Sequence, residues 1–162
     1  MYEIRLAKER IRSQFLEKRR SIPAELKAEY DEAVCRRFMS LVTYRYAEAI
    51  LMYAPKGSEI DVTSIARHAL ECGKIVAYPR CDSTRCTMDY HIVTSLEQLE
   101  KGSYGIFEPS ASLPVYNPRS YKNAACIIPA LVYDRSGYRL GYGKGYYDRY
   151  LTAFTGVKTG FV

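Results

Sequence analysis

The sequence predicts an α/β fold: a three-layer sandwich whose mainly parallel sheet is covered by helices on both faces. Three observations carry this expectation. Apolar runs at 49–53, 75–78 and 126–133 are short and continuous, as strands buried on both faces are. Around them lie segments with apolar residues three or four apart, the helical interval. The chain has 162 residues, against about 150 for an ordinary domain, so one core is expected rather than two. Strands alternating with helices pack as a parallel sheet with both faces covered, which makes the expected architecture Rossmann-like.

The first element is a charged helix over 3–20, in which Ile4, Ile11, Phe15 and Leu16 can share one face. Ser21-Ile22-Pro23 interrupts it, and Pro23 suits the first turn of a second helix. Leu26, Tyr30, Val34, Phe38 and Leu41 give that helix an apolar stripe. The strand at 49–53 stops before Pro55, and Asp61 then stands as N-cap of a helix through Leu70 that Gly73 ends. The next strand, 75–78, is closed by Pro79, and 88–93 alternates as a half-exposed strand does. Ser95-Leu96-Glu97-Gln98 matches a capping box that opens a short helix ending near Gly102. A Pro- and Ser-rich loop spans 108–118, and the strand at 126–133 must place Pro129 at a bulge or an end.

Composition bounds the function classes. Apolar residues make up 48% and charged residues 26%, a globular mixture that excludes wholesale disorder. No apolar run reaches the roughly 18–20 residues of a membrane span. The N-terminal segment has no apolar h-region, which argues against a secretory signal. The expectation is a cytoplasmic protein. Lys and Arg number 24 against 18 acidic residues, a net charge of +6, which favours anionic partners. Arg5, Lys8, Arg10, Arg12, Lys18, Arg19 and Arg20 concentrate that excess at the start, where a solvated helix face is the plain reading. Cys35, Cys72, Cys81, Cys86 and Cys126 are odd in number and widely spaced, as reduced thiols are. With His68 and His91 they make no zinc pattern, and His91 reads as a structural strand residue.

Chemistry concentrates in 134–151, Asp-Arg-Ser-Gly-Tyr-Arg-Leu-Gly-Tyr-Gly-Lys-Gly-Tyr-Tyr-Asp-Arg-Tyr-Leu. The segment follows a strong strand and leads into a helix from Gly145, and open α/β sheets bind ligands beyond the carboxyl ends of their strands. Gly141, Gly143 and Gly145 let the backbone turn tightly and aim N–H groups at an anion. The helix N-terminus adds its dipole. Lys144 would neutralise phosphate oxygens, and Arg139 would add a two-pronged contact. Asp148, one turn into the helix, suits a phosphate only with a divalent cation such as Mg²⁺ between them. Tyr138 stands where a Walker A loop has its first glycine and Gly145 where it has Ser or Thr, so this is not that loop, nor is it GxGxxG. On composition alone, a flexible Gly/Tyr surface turn remains open.

Residues 139–151, preceded by Ile-Ile-Pro-Ala-Leu-Val-Tyr-Asp-Arg-Ser-Gly at 127–137, resemble the signature of the 5-formyltetrahydrofolate cyclo-ligase family, also called methenyltetrahydrofolate synthetases. Further matches run in chain order: Lys8-Glu9-Arg10-Ile11-Arg12, Glu59, Tyr78-Pro79, Met88-Asp89-Tyr90 and Tyr104-Gly105-Ile106-Phe107-Glu108-Pro109. The resemblance implies ATP-dependent closure of 5-formyltetrahydrofolate to 5,10-methenyltetrahydrofolate, releasing ADP and phosphate through a phosphorylated formyl intermediate. It implies Mg²⁺ as cofactor and ATP as co-substrate. By motif position, it implies catalytic roles for Lys144, Arg139 and Tyr146. ATP contacts would come from Lys8, Arg12 and the loop Arg139, Leu140, Gly141, Tyr142, Gly143, Lys144, Gly145, Tyr146 and Tyr147. The folate would meet Tyr53, Ala54 and Glu59, the last accepting pteridine N–H bonds, and Tyr142, Gly143, Lys144, Gly145 and Tyr146. Asp148 would ligate the metal. Either Tyr53 or Tyr90 would stack on the pterin, with burial in a strand an equally good account of both. Arg10, Lys18 and Arg19 have no match and are expected to be solvated.

Members of that family usually continue past the position matching Val162, so the expectation is one domain, 1–162, lacking their C-terminal segment. The expected partners are ATP and the formylated folate, with or without a polyglutamate tail. No nucleic acid and no membrane are expected, and the chain is expected to be a monomer. Two other classes stay open. One is a non-catalytic nucleotide- or RNA-binding module, which the charge and tyrosines permit although no RNA-reading signature is present. The other is a small-molecule kinase that uses the glycine loop.

Overall fold

The computed structural model describes residues 2–102 and 105–162; Tyr104, at the head of one matched segment, lies outside the described residues. In chain order the helices are α1 (Tyr2–Arg20), α2 (Ala24–Ser40), α3 (Val42–Tyr46), α4 (Thr63–Glu71) and α5 (Tyr146–Ala153). The strands are β1 (Ala49–Leu51), β2 (Ile75–Asp82), β3 (Thr87–Val93), β4 (Leu99–Lys101), β5 (Phe107–Pro109), β6 (Ala124–Pro129), β7 (Val132–Tyr133), β8 (Arg139–Leu140) and β9 (Val157–Phe161). The main sheet has the order β3-β2-β1-β6-β9. β1, β2, β6 and β9 run parallel, while β3 returns antiparallel beside β2. Helix α4 makes the crossover from β1 to β2, whereas only a tight turn joins β2 to β3, and a turn that short permits only an antiparallel return. This is the α/β sandwich that the sequence predicts.

Side-chain alternation sorts the core into two halves. Ile50, Val76 and Ile127 face α2, α3 and α4, where Phe38, Tyr44, Ile65 and Ala69 complete one apolar cluster. Ala49, Leu51, Ala77, Cys126 and Ile128 face the other way, against Tyr90, Tyr116 and Phe154, with Tyr150 of α5 packed on them. Among the described residues no helix is long and apolar enough to cross a membrane.

Four details differ from the sequence expectation, each for a local reason. β2 does not stop at Pro79 but continues to Asp82, because β1 ends opposite Ala77 and the missing proline N–H falls on the side that β1 has vacated. The run at 126–133 is broken: Pro129 stands at the end of β6, one of the two places the sequence allows it, and the chain then leaves the sheet to pair β7 with β8 in a small hairpin. Helix α4 starts at Thr63 rather than directly after Asp61, whose Oδ1 accepts the Thr63 N–H at 2.9 Å. The capping box at Ser95 is formed, but the helical turn it opens is a single 3₁₀ turn that stops at Gln98, before β4, rather than running on to Gly102. Both β1 and β6 finish at the same end of the sheet, and α1 reaches that end through Arg19, whose Nη2 donates to the Ala130 carbonyl at 2.6 Å.

Candidate active site

Beyond the carboxyl ends of β1 and β6 lies a cavity of about 380 Å³. Its lining draws from distant parts of the chain. Helix α1 supplies Lys8 and Arg12, the segment after β1 supplies Tyr53, Ala54, Lys56 and Glu59, strands β2 and β3 with the β5 segment supply Cys81, Met88 and Glu108 among others, and the 139–148 segment completes it. Arg139, Leu140, Gly141, Tyr142, Gly143, Lys144, Gly145, Tyr146, Tyr147 and Asp148 all border it. The structure thus brings together fifteen of the sixteen residues to which the family resemblance gives a role, Tyr90 being the exception.

The glycine loop is built from both sides. Asp134 organises the turn before it, with its Oδ1 accepting Ser136 N–H at 2.9 Å and Tyr138 N–H at 2.8 Å. The β7–β8 hairpin then delivers the loop to the cavity. Gly143 and Gly145 have φ of +94° and +73°, in the region that a side chain disfavours. Arg12 presses against Gly143 and donates from Nε to the Gly141 carbonyl at 2.9 Å. Arg149, without a role in the sequence reading, donates to Lys144 O at 2.7 Å and to Cys86 O at 2.6 Å. Gly145 is the N-cap of α5 and brings no side-chain cap bond, so the first-turn N–H groups suit an incoming anion.

Opposite charges meet at the edge of this loop. Arg139 donates to Pro129 O at 3.1 Å, pairs with Asp148, and lies over the Tyr147 ring with its guanidinium carbon 5.4 Å from the centroid. The Asp148 side chain is 72% exposed, so that pair is weakly held in water. Among the described residues no group of three or more His, Cys, Asp or Glu side chains stands ready to hold a metal ion. Asp148 by itself offers one hard oxygen donor, which suits Mg²⁺ if a phosphate-bearing substrate supplies most of the remaining ligands.

The far wall is acidic. Glu59 is buried and accepts the Lys56 backbone N–H at 2.7 Å. Burial raises its pKa above the usual 4.5, and this is partly offset by that bond, by the Tyr142 hydroxyl and by the charges of Arg19 and Lys56. Burial and the Glu59 carboxylate push Tyr142 up to about 12, so its hydroxyl is a donor at neutral pH. Tyr53 lines the cavity and donates its hydroxyl to Ile60 O at 2.8 Å. Tyr90 does not line it; it lies in the core with its ring 4.8 Å from that of Tyr150.

Arg19 overturns the expectation of a solvated side chain. Its Nη2 is bonded to Ala130 O, and its Nη1 is buried beside Glu59 and Tyr142. It follows Arg12 by seven residues, two helical turns, so both share one face of α1. That spacing was a legible signal. The expected apolar face is weaker than the charged one: Ile4 and Ile11 are exposed, and only Phe15 and Leu16 are half-buried. Glu108, buried in the cavity wall beside Cys81, also goes unassigned in the motif comparison.

Residues 5–160 match the model of the 5-formyltetrahydrofolate cyclo-ligase family. A probable 5-formyltetrahydrofolate cyclo-ligase of Schizosaccharomyces pombe is 26% identical over 124 residues, covering 75% of this chain and 60% of that protein. One from Caenorhabditis elegans is 29% identical over 128 residues, covering 75% and 61%. The chain therefore spans about three fifths of the length of these relatives. The solution structure of Aquifex aeolicus 5,10-methenyltetrahydrofolate synthetase superposes with a TM-score of 0.81 at 30% identity, covering 96% of this chain and 77% of that one.

Proposed function

The chain belongs to the 5-formyltetrahydrofolate cyclo-ligase family, and on that premise we propose that it converts 5-formyltetrahydrofolate to 5,10-methenyltetrahydrofolate at the expense of ATP. One observation supports the reading above the others: a cationic glycine loop and an acidic wall border the same cavity. Two substrates must meet there, one a polyanion and one rich in N–H donors. The triphosphate lies against Lys8, Arg12, Lys144 and the backbone N–H groups of 141–145. The formyl oxygen attacks the terminal phosphorus as the bond to ADP breaks, which turns a poor leaving group into a good one. N10 then attacks the formyl carbon, its proton is released, the C–O bond breaks and phosphate departs. Most of the acceleration comes from positioning and charge neutralisation.

Each residue has a share in this. Arg139, Lys144 and Tyr146 border the transferring group, while Leu140, Tyr142 and Tyr147 shape the loop around it. Glu59 accepts pteridine N–H bonds, flanked by Tyr53 and Ala54. Asp148 would hold Mg²⁺, which when bound neutralises phosphate charge. The test is a near-ultraviolet assay for the methenyl product in the presence of ATP and Mg²⁺. Lys144→Ala should lower kcat by about 100-fold or more, the usual effect of removing one stabilising donor, with the fold intact by circular dichroism. No ATP-dependent product from the unmodified protein would falsify the proposal. Salt-dependent RNA binding in that case would favour the binding-module reading instead.

A further inference from the structure

Three carboxylates line the cavity: Glu59, Glu108 and Asp148. Two of them are matched. Asp148 pairs with Arg139, and Glu59 takes the Lys56 N–H and the Tyr142 hydroxyl with Arg19 close by. Glu108 differs. It is only 4% exposed, and among the described residues its polar neighbours are the Cys81 N–H, at a long 3.3 Å, and the Cys81 thiol. None of the ion pairs among the described residues involves it. Arg80, on the neighbouring strand β2, gives its Nη1 to Pro109 O at 2.8 Å instead. Nor can the carboxyl swing aside freely, since β5 is held in register with β4 and Glu108 packs directly on the Cα of Gly102.

A buried carboxylate without a cation is costly, and a ligand that brings positive charge relieves the cost. The proposed reaction creates such a charge. Ring closure forms the bond from the formyl carbon to N10, breaks the bond from that carbon to the phosphate oxygen, and releases the N10 proton. What remains is an amidinium across N5, the carbon and N10 with one positive charge. The formylated substrate carries none at that centre. We propose that Glu108 is the counter-ion of this amidinium, a residue that favours the charged product and the transition state leading to it over the neutral substrate. The inference rests on the functional reading above and adds a residue to it.

Turnover by the unmodified protein is measured first; its absence ends the functional reading itself. Given turnover, Glu108→Gln is compared with it by titration with the methenyl product and with 5-formyltetrahydrofolate. Affinity for the cation should fall by about tenfold or more while affinity for the neutral substrate stays within about twofold, and kcat should fall with the former. Equal losses for both ligands would assign Glu108 to N–H recognition and overturn the counter-ion role, as would no loss for either. If Glu108→Gln does not fold, Glu108→Asp decides. It keeps the charge but withdraws it by one methylene, so the preference for the cation should shrink without vanishing. An unchanged preference overturns the inference.

Discussion

Glu59 is a carboxyl whose proton equilibrium follows from its surroundings. Burial raises its pKa above 4.5, and Tyr142, Lys56 and Arg19 pull part of the way back. A carboxyl raised in this way holds more protons folded than unfolded between the two values, so its contribution to stability falls as pH rises through that window. Binding runs the other way, because only the ionised form accepts two N–H bonds from a ligand. The KM for 5-formyltetrahydrofolate should therefore fall as pH rises through a limb centred above 4.5, and Glu59→Gln should lack that limb. Arg19→Met should move the limb to higher pH by removing a charge that favours ionisation, and Arg19→Lys should restore part of the shift. A limb that survives Glu59→Gln would assign the titration to another group. Arg19 shows why this level was only partly legible. Its charge and its seven-residue spacing from Arg12 were visible, but neither says that this face of the helix lies across the end of the sheet.

Among the elements, the loop between β8 and α5 carries the most specific demand on sequence. Gly143 has φ of +94°, and a Cβ there would stand 3.1 Å from Nη2 of Arg12. Gly143→Ala should thus destabilise the fold by about 1–2 kcal/mol through backbone strain. It should also raise the KM for ATP several-fold, because Arg12 must move. Gly73→Ala is the control: its φ is +70° and nothing lies within 4 Å of the added carbon. It should lower the melting midpoint to a similar degree and leave the KM for ATP unchanged. Equal effects on KM would mean that general destabilisation, and not the displacement of Arg12, is responsible. The loop was legible because its chemistry is local: glycines, a lysine and a helix start lie within a dozen residues. The end of β2 was misjudged for the opposite reason, whereas Pro129 does end β6 as the sequence allows. Whether a proline ends a strand depends on which neighbour lies on its nitrogen side, and the sequence does not state that. Glu108 was hidden in the same way, since its place in the wall depends on β5 folding back toward β2.

At the scale of the whole molecule, α1 is attached unlike the other long helices. It has no buried residue, whereas α2 and α4 bury Phe38, Ile65 and Ala69 in the core. What fixes it is polar: Arg12 to the Gly141 carbonyl at 2.9 Å and Arg19 to the Ala130 carbonyl at 2.6 Å. Both acceptors lie at the carboxyl end of the sheet, so the helix is docked at the cavity itself. Elements with few buried apolar contacts open at low free energy, and α1 should exchange its amide hydrogens faster than α2. Part of the net charge of +6 is thereby given a task, because Lys8 and Arg12 of α1 face the same cavity as Lys144. A triphosphate bound between them links the helix to the loop. At a concentration one hundred times Kd, ligand linkage contributes about 2.7 kcal/mol, which corresponds to about 100-fold slower exchange if α1 opens only when the ligand has left. Hydrogen exchange followed by mass spectrometry should show this slowing over α1 with Mg-ATP, and Arg12→Ala should remove most of it. Unchanged exchange in α1 under conditions where titration shows ATP bound would mean that the nucleotide is held by the loop alone, and that the basic helix face is solvated after all.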